Sequence, residues 1–311
     1  PGTDRSYNAF DGMQPRRPVA TPVEARAGTC PITRGSEGTP TSTLARVLVL
    51  PRYAWKEAFS AKLVTGAFTA SFLAPIGALV LVWLKYNVAA LARTPFAEGI
   101  PLAIDARFFG YLLLTQSYFA FALTLFVGPS LVSPDLVNGA LPLYFSRPLA
   151  RWQYVTGKLL VLALLLSAIT WAPLLLVFVL QASLAEAGWL GANAGIAGSI
   201  VLASLLLVLF LSLVSMAVSA WVRNRSVARG LLIALGVIPA GFGEAMNGIL
   251  NVEWGGVLNM GLAWGRILEG LFGIPVRAGI PLAGAWASLL VTTALALFLL
   301  RRKLRAFEVV R

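Results

Sequence analysis

The sequence predicts an all-α integral membrane protein with six transmembrane helices. Of its 311 residues, 58% are hydrophobic and only 12% are charged, whereas a soluble domain carries about 25% charged residues. Five apolar segments come close to the roughly 20 residues that a membrane-spanning helix needs, and a further segment is shorter. The basic residues cluster between alternate segments, as they do in the cytoplasmic loops of membrane proteins.

The six predicted spans differ in regularity. Most are uninterrupted runs of aliphatic and aromatic residues, but the fifth is short and contains Gly236, Pro239 and Gly241, which weaken a helix. The predicted spans are Leu63–Leu84, Phe108–Val132, Leu159–Leu180, Ile196–Val222, Gly230–Phe242 and Ala283–Leu300.

The charge distribution orients the predicted bundle. With the N-terminus in the cytoplasm, the cytoplasmic segments together hold twenty Lys and Arg residues, against five on the outside. An even number of spans then places both termini in the cytoplasm. Topology thus accounts for the net charge of +12, and we expect no nucleic-acid partner.

Two regions precede the first span. Residues 1–43 are rich in Pro, Gly, Ser, Thr and Arg and predict a disordered cytoplasmic tail, which leaves residues 44–311 as the transmembrane domain. Trp55, Phe59 and Leu63 recur at every fourth position and share one helical face, with basic residues around the other side. This pattern predicts an amphipathic elbow helix at the membrane surface. The alternative is the simple basic flank of span 1.

The residue inventory excludes several kinds of chemistry. The chain contains no histidine, which excludes Ser-His and Cys-His catalysis and histidine-ligated metal sites. The single cysteine, Cys30, offers neither a disulfide framework nor a metal cluster. No G-x-x-x-x-G-K-[ST] loop is present, so the chain does not bind ATP by that motif. We therefore expect no catalytic residue, no bound metal and no cofactor on this chain.

The stretch from Pro134 to Lys158 joins spans 2 and 3 and differs from both. Asp135 follows Pro134 at a predicted helix start, and the turn Ser146-Arg147-Pro148 ends the apolar part. The pattern predicts a short surface helix whose hydrophobic side docks another protein. The alternative is an ordinary loop with arginines that extend to the lipid surface. The apolar positions are Leu136, Leu141, Leu143, Tyr144 and Phe145.

This stretch resembles the cytoplasmic coupling-helix region of ABC transporter permeases of the type-2 exporter family. The family pattern has an acidic residue, a Gly-small-Leu triplet, a Ser-Arg-Pro turn, an arginine, an aromatic residue and a Gly-Lys pair. The matching residues here are Asp135, Gly139-Ala140-Leu141, Ser146-Arg147-Pro148, Arg151, Tyr154 and Gly157-Lys158.

The resemblance implies a permease subunit, an exporter, in a bacterial-type cytoplasmic (inner) membrane. ATP and Mg would be bound by a separate ABC ATPase subunit, because no soluble segment here is long enough for a nucleotide-binding domain. Two permease copies, or this chain with a paralogue, would form the transporter in membrane lipid. The residues expected to couple to the ATPase are Asp135, Leu136, Gly139, Leu141, Tyr144, Phe145, Arg147, Arg151 and Lys158.

The segment between spans 5 and 6 is apolar but interrupted by glycine. Trp254 and Trp264 suit a membrane interface, and Arg266 and Glu269 lie three apart on a helical face. We expect one or two short re-entrant helices in the outer leaflet within residues 243–282, an arrangement that the resembled family also has. A seventh full span is disfavoured because it would bury charged residues.

Polar residues are candidates for a substrate path, namely Thr69, Gln116 and Tyr118 within the spans and Glu244 just after span 5. Gln116 is the most expensive of these to bury without a partner. The alternative is that such residues hydrogen-bond between helices, a common use of polar side chains in membranes. A path without central charges suits a lipid-like or amphipathic substrate better than a small ion.

Two other functional classes remain open at this point. A membrane anchor or assembly protein would hold partners through the same cytoplasmic loop without moving solute. A secondary transporter is disfavoured because such proteins often carry acidic residues within the membrane, and these spans lack a central charge.

Overall fold

The computed structural model describes residues 55, 59–87, 103–137, 151–222, 224–252, 254–276 and 279–306. Every regular element within these ranges is helical. The elements are α1 (Lys62–Ser71), α2 (Leu73–Asn87), α3 (Ala106–Val137), α4 (Arg151–Ile169), α5 (Trp171–Leu184), α6 (Trp189–Trp221), α7 (Arg225–Leu250), a 3₁₀ helix (Trp254–Leu258), α8 (Met260–Phe272) and α9 (Leu282–Ala306).

Six of the described helical segments are long and apolar enough to cross a membrane, which confirms the predicted class of a six-span, multi-pass membrane protein. Span 1 comprises α1 and α2, and span 3 comprises α4 and α5. The other spans are the single helices α3, α6, α7 and α9. The predicted tail and most of the predicted elbow helix lie outside the described residues, so both stay predictions. Trp55 does contact the bundle, since its indole Nε1 donates to the carbonyl of Val161 at 3.3 Å.

Span 5 differs from its prediction. The short span predicted over Gly230–Phe242 is wrong, because α7 runs for 26 residues from Arg225 to Leu250. Asn224 caps its start by accepting a hydrogen bond from the amide of Ser226 at 2.8 Å. Pro239 removes only one backbone hydrogen bond, and a helix is the one arrangement that satisfies the other amides in lipid. With 26 residues, span 5 is therefore long enough to cross the membrane, although it is shorter than the 33-residue α6.

Span 4 also begins earlier than predicted. The outer segment predicted over residues 181–195 is reduced to a turn at residues 185–188, where Gly188 has a φ of 96°, and α6 follows at once. Gly191 and Gly195 form a G-x-x-x-G pattern, which often marks close helix packing, but both face open space in the described chain. An added Cβ at either position would meet no atom within 4 Å.

Spans 1 and 3 are each interrupted in a similar way. Their helices break at Phe72 and Thr170, three residues before Pro75 and Pro173. A proline has no amide hydrogen and its ring crowds the preceding turn, so the carbonyl four residues earlier loses its helical donor. In span 1 that carbonyl belongs to Ser71, which becomes available to another helix.

Short helices connect spans 5 and 6, as predicted. Gly243 of α7 lies so close to Gly255 of the 3₁₀ helix that a Cβ at either position would collide with the carbonyl of the other. On α8, Arg266 and Glu269 form the predicted pair, with 3.7 Å between Nη1 and Oε2. The expectation that these helices are re-entrant stays a prediction.

Contacts between span ends give the relative directions of spans 1 to 4. The rings of Phe109, near the start of span 2, and Phe178, near the end of span 3, lie 5.8 Å apart, so these two spans run in opposite directions. At one end the amide Nε2 of Gln181 donates to the hydroxyl of Tyr86 at 2.7 Å, which joins spans 1 and 3. At the other end the hydroxyl of Ser133 donates to the carbonyl of Val222 at 2.9 Å, which joins spans 2 and 4. We call the second the basic end, because most described cations of the bundle lie there. They are Lys62, Lys158, Arg225, Arg229, Arg301, Arg302 and Lys303.

The tightest contact between spans is that of α3 with α6. Gly128 of α3 has no room for a side chain, because an added Cβ would collide with the hydroxyl of Ser215. One turn further along α6, Ser219 donates from its hydroxyl to the carbonyl of Gly128 at 3.1 Å. Small residues of this kind let transmembrane helices approach closely and hydrogen-bond through their backbones.

We predict that Gly128→Ala destabilises the protein. Overpacking of a close-packed contact costs about 1–3 kcal/mol, so the thermal midpoint in detergent, followed by tryptophan fluorescence, is expected to fall. Gly66→Ala is the matched control, because its Cβ meets no atom within 4 Å, and it is expected to leave the midpoint unchanged or to raise it. The double variant Gly128→Ala/Ser215→Gly is expected to recover stability. If Gly128→Ala and Gly66→Ala behave alike, the contact is not close.

Candidate functional site

A cavity of about 370 Å³ lies among spans 2, 4, 5 and 6 and helix α8. Its wall is mostly apolar, and each of these elements contributes to it. We call it the bundle cavity. Representative lining residues are Phe121 of α3, Phe210 of α6, Ile233 of α7, Trp264 of α8 and Leu289 of α9.

Most polar groups in the wall of the bundle cavity already have protein partners. The indole Nε1 of Trp264 donates to the hydroxyl of Ser117 at 2.9 Å, and that hydroxyl donates to the carbonyl of Leu113 at 2.8 Å. The hydroxyl of Thr124 donates to the carbonyl of Ala120 at 2.7 Å. These bonds leave carbon atoms to face the cavity, which suits an apolar ligand.

Tyr118 is the one substrate-path candidate that lines the bundle cavity. Its side chain is 68% exposed, and its hydroxyl makes no hydrogen bond to the described part of the chain. Tyr118 lies near the middle of α3, at a depth where a hydroxyl group in lipid lacks water as a partner. It is therefore a polar group available to a ligand within an otherwise apolar wall.

Gln116 has a different position. Its side chain is completely buried, and its Nε2 donates to the carbonyl of Ser71 at 2.8 Å. That carbonyl is the one that Pro75 leaves without a helical donor. Gln116 thus joins spans 1 and 2 through a hydrogen bond, which is the alternative role considered for it from the sequence. It does not line the bundle cavity.

The other two candidates lie elsewhere. Thr69 is exposed on α1, beside a shallow groove that Lys62 and Thr65 also line. Glu244 is exposed on α7, within the helix rather than after it as predicted. The structure does not bring the four candidates together around one space.

The predicted coupling residues are only partly described. Helix α3 continues through Pro134 as far as Val137, so the predicted helix start at Asp135 is wrong. Pro134 removes a single hydrogen bond, to the carbonyl of Ser130, and its fixed φ fits a helix. Asp135 and Leu136 therefore belong to the last turn of α3.

The remaining coupling residues follow in sequence. Arg151 is the first residue of α4, and Lys158 is half-buried two turns later. For three coupling residues the structure describes the backbone but not the side chain, namely Asp135, Leu136 and Arg151. Five others lie wholly outside the described residues, namely Gly139, Leu141, Tyr144, Phe145 and Arg147. The predicted docking surface therefore stays a prediction.

Two aromatic contacts were not predicted. Trp264 was expected at a membrane interface, yet it is only 9% exposed and lies against α3. At the basic end the guanidinium carbon of Arg229 lies 5.8 Å from the centre of the Phe126 ring. The high apolar content of residues around Trp264 was the available signal for its burial, but tryptophan occurs in both settings.

In the described ranges no group of three Cys, Asp or Glu side chains could hold a metal ion. A scan against protein-family models and a search of curated proteins return no match to this sequence. The case for a function therefore depends on the motif between spans 2 and 3 and on the geometry of the bundle.

We predict that Gln116 and Pro75 are energetically coupled. In wild type, Gln116→Leu leaves the carbonyl of Ser71 without a donor, and an interhelical hydrogen bond in a membrane is worth about 0.6–2 kcal/mol. In a Pro75→Ala background the new amide at position 75 can donate to that carbonyl, so Gln116→Leu is expected to cost less. A double-mutant cycle on unfolding in detergent measures the difference. Equal costs in both backgrounds would contradict the role assigned to Pro75.

Proposed function

We propose that this chain is the membrane-spanning permease subunit of an ATP-driven ABC transporter, an exporter, coupled through the loop between spans 2 and 3 to a separate ATPase subunit. The observation that carries the proposal is the continuity of α3 into the coupling-like stretch. At 32 residues α3 is about 48 Å long, which exceeds the roughly 30 Å hydrocarbon layer. It thus extends beyond the membrane, and in this proposal it acts as a lever.

The packing of α3 supports its role as a lever. At its far end Asp105 caps the helix, accepting hydrogen bonds from the amides of Arg107 at 3.0 Å and Phe108 at 3.2 Å. Along its length it meets α6 closely at Gly128. A displacement at the basic end would therefore move spans 2 and 4 together rather than bend one helix.

Subunit arrangement follows from charge and exposure. The basic end is the cytoplasmic side under this proposal, and the ATPase, which binds ATP and Mg, docks there. The spans at the edge of the bundle expose much apolar surface to lipid or to a second permease copy, as at Ile238 and Ile249 on α7.

The apolar bundle cavity supports a lipid-like or amphipathic substrate over a small ion, with Tyr118 as the polar group that a substrate would meet.

We predict that the tagged chain, solubilised in mild detergent, captures a P-loop ATPase that mass spectrometry identifies. The double variant Leu141→Asp/Phe145→Asp places charges on the proposed docking surface and is expected to lose the ATPase. Leu190→Asp is a matched control, because Leu190 is exposed at the opposite end of the bundle, and it is expected to retain the ATPase.

The reconstituted complex provides the second part of this test. In proteoliposomes its ATPase activity is expected to rise with a transported compound, as coupling between the two subunits requires. If the partners of wild type and the double variant are identical and contain no ATPase, the proposal fails. An ATPase that binds but never responds to any compound would instead favour the membrane-anchor alternative.

A further inference from the structure

We propose that the bundle cavity holds an acyl chain of an anionic phospholipid from the leaflet at the basic end, with Arg229 binding the phosphate of that lipid. The inference goes beyond transport, because it assigns the cavity a bound membrane component and concerns this chain with or without an ATPase.

Arg229 is placed to receive an anion. It lies one turn inside α7 at the basic end, and its guanidinium group stacks near Phe126 at 5.8 Å. Its Nε is buried and makes no hydrogen bond within the described ranges, and no carboxylate among those residues forms an ion pair with it. A buried donor of a charged group is costly unless it meets an acceptor. The Arg229 side chain as a whole is only half-buried, so a lipid phosphate at the membrane surface can approach its guanidinium group.

The wall of the bundle cavity begins one turn beyond Arg229 on α7. Leu232, Ile233 and Gly236 follow Arg229 on α7 at spacings of three, four and seven residues, so all four share one helical face. The last three of these residues line the cavity. A molecule held at Arg229 would therefore extend its remaining part along this face into the cavity.

The chemistry of the cavity selects the ligand. Its volume of about 370 Å³ lies at the small end of ligand pockets, which span about 300–1,000 Å³. Its hydroxyl and indole groups at Ser117, Thr124 and Trp264 are occupied by protein partners. Among the side-chain hydroxyl and indole groups of this wall, a soluble polar anion would find only the Tyr118 hydroxyl available, whereas a hydrocarbon chain matches the apolar remainder.

Access from the bilayer is open. Among the residues that line the cavity on α7, Ile233 is 46% and Val237 is 63% exposed, so the wall at span 5 reaches the surface that faces lipid. A lipid can enter sideways here without first crossing water.

Native mass spectrometry of the full chain tests the proposal. The chain is exchanged into mild detergent with equal parts of phosphatidylglycerol and phosphatidylcholine, and the lipids retained per chain are counted. We expect one retained phosphatidylglycerol in wild type. Arg229→Gln removes the charge and is expected to lower its retention at least about tenfold, since a hydrogen bond to a charged group is worth about 1.5–3 kcal/mol. Arg229→Lys is expected to keep most of it.

Gly236→Leu tests the position of the acyl chain. An added Cβ at Gly236 meets no atom within 4 Å, so the new side chain can fill the cavity without a clash, and retention is expected to be lost. Gly230→Leu is the matched control on the same helix, because its Cβ also meets no atom and Gly230 does not line the cavity. Arg301→Gln controls for the loss of an exposed charge. Both controls are expected to behave as wild type.

A fluorescence measurement covers the case in which a variant folds poorly. The quenching that belongs to Trp264 is the fluorescence quenching of wild type less that of Trp264→Phe. In nanodiscs of phosphatidylglycerol with brominated chains, this quenching is expected to exceed that in nanodiscs of brominated phosphatidylcholine. Equal quenching by both lipids, or equal lipid retention by wild type, Arg229→Gln and Gly236→Leu, would overturn the proposal. Lipid retention and fluorescence quenching are both measured without a partner protein. Their outcome is therefore independent of whether the chain captures an ATPase.

Discussion

The contact of α3 with α6 at Gly128 is the constraint on which the rest of the bundle depends. In lipid there is no hydrophobic gain from bringing two apolar helices together, so packing and hydrogen bonds between helices must hold them. Gly128 removes the side chain that would separate the two helices, and Ser219 then reaches the exposed carbonyl. The remaining spans pack around this central pair.

One proline determines where a polar tie forms between two other helices. Pro75 removes an amide donor from span 1, and the carbonyl that it leaves gains a partner from outside the helix in a medium without water. At Ser71 the partner is the side chain of Gln116, which reaches across from the neighbouring span. A residue that by composition alone suits a substrate path is thus engaged in holding spans 1 and 2 together.

The wall of the bundle cavity combines four spans with one shorter helix. Spans 2, 4, 5 and 6 supply long apolar helices, and α8 closes the space with Trp264 bound to Ser117. Because the side-chain groups of Ser117, Thr124 and Trp264 are occupied, the cavity presents carbon and the Tyr118 hydroxyl to whatever enters it. Arg229 at the basic end adds a single charge beside this apolar space. An amphipathic occupant satisfies both features at once.

Local periodicity and composition were enough to predict six spans, because a helix that crosses lipid needs a long apolar run wherever it occurs. They were not enough to place the limits of span 5, since Pro239 and its neighbouring glycines weaken an isolated helix but are tolerated when the backbone has no alternative partner. The same holds at Pro134, where the helix continues through the residue expected to precede a new one.

The sequence by itself determined the class of protein, the number of spans and the short helices before the last span, because each depends on hydrophobicity and charge along the chain. Only the tertiary structure decided which polar residues face one another. Gln116 and Tyr118 are two positions apart on α3, yet the first is buried against span 1 and the second faces the bundle cavity. Sequence spacing shows that the two side chains point in different directions, but the neighbour that each one meets depends on how the spans pack.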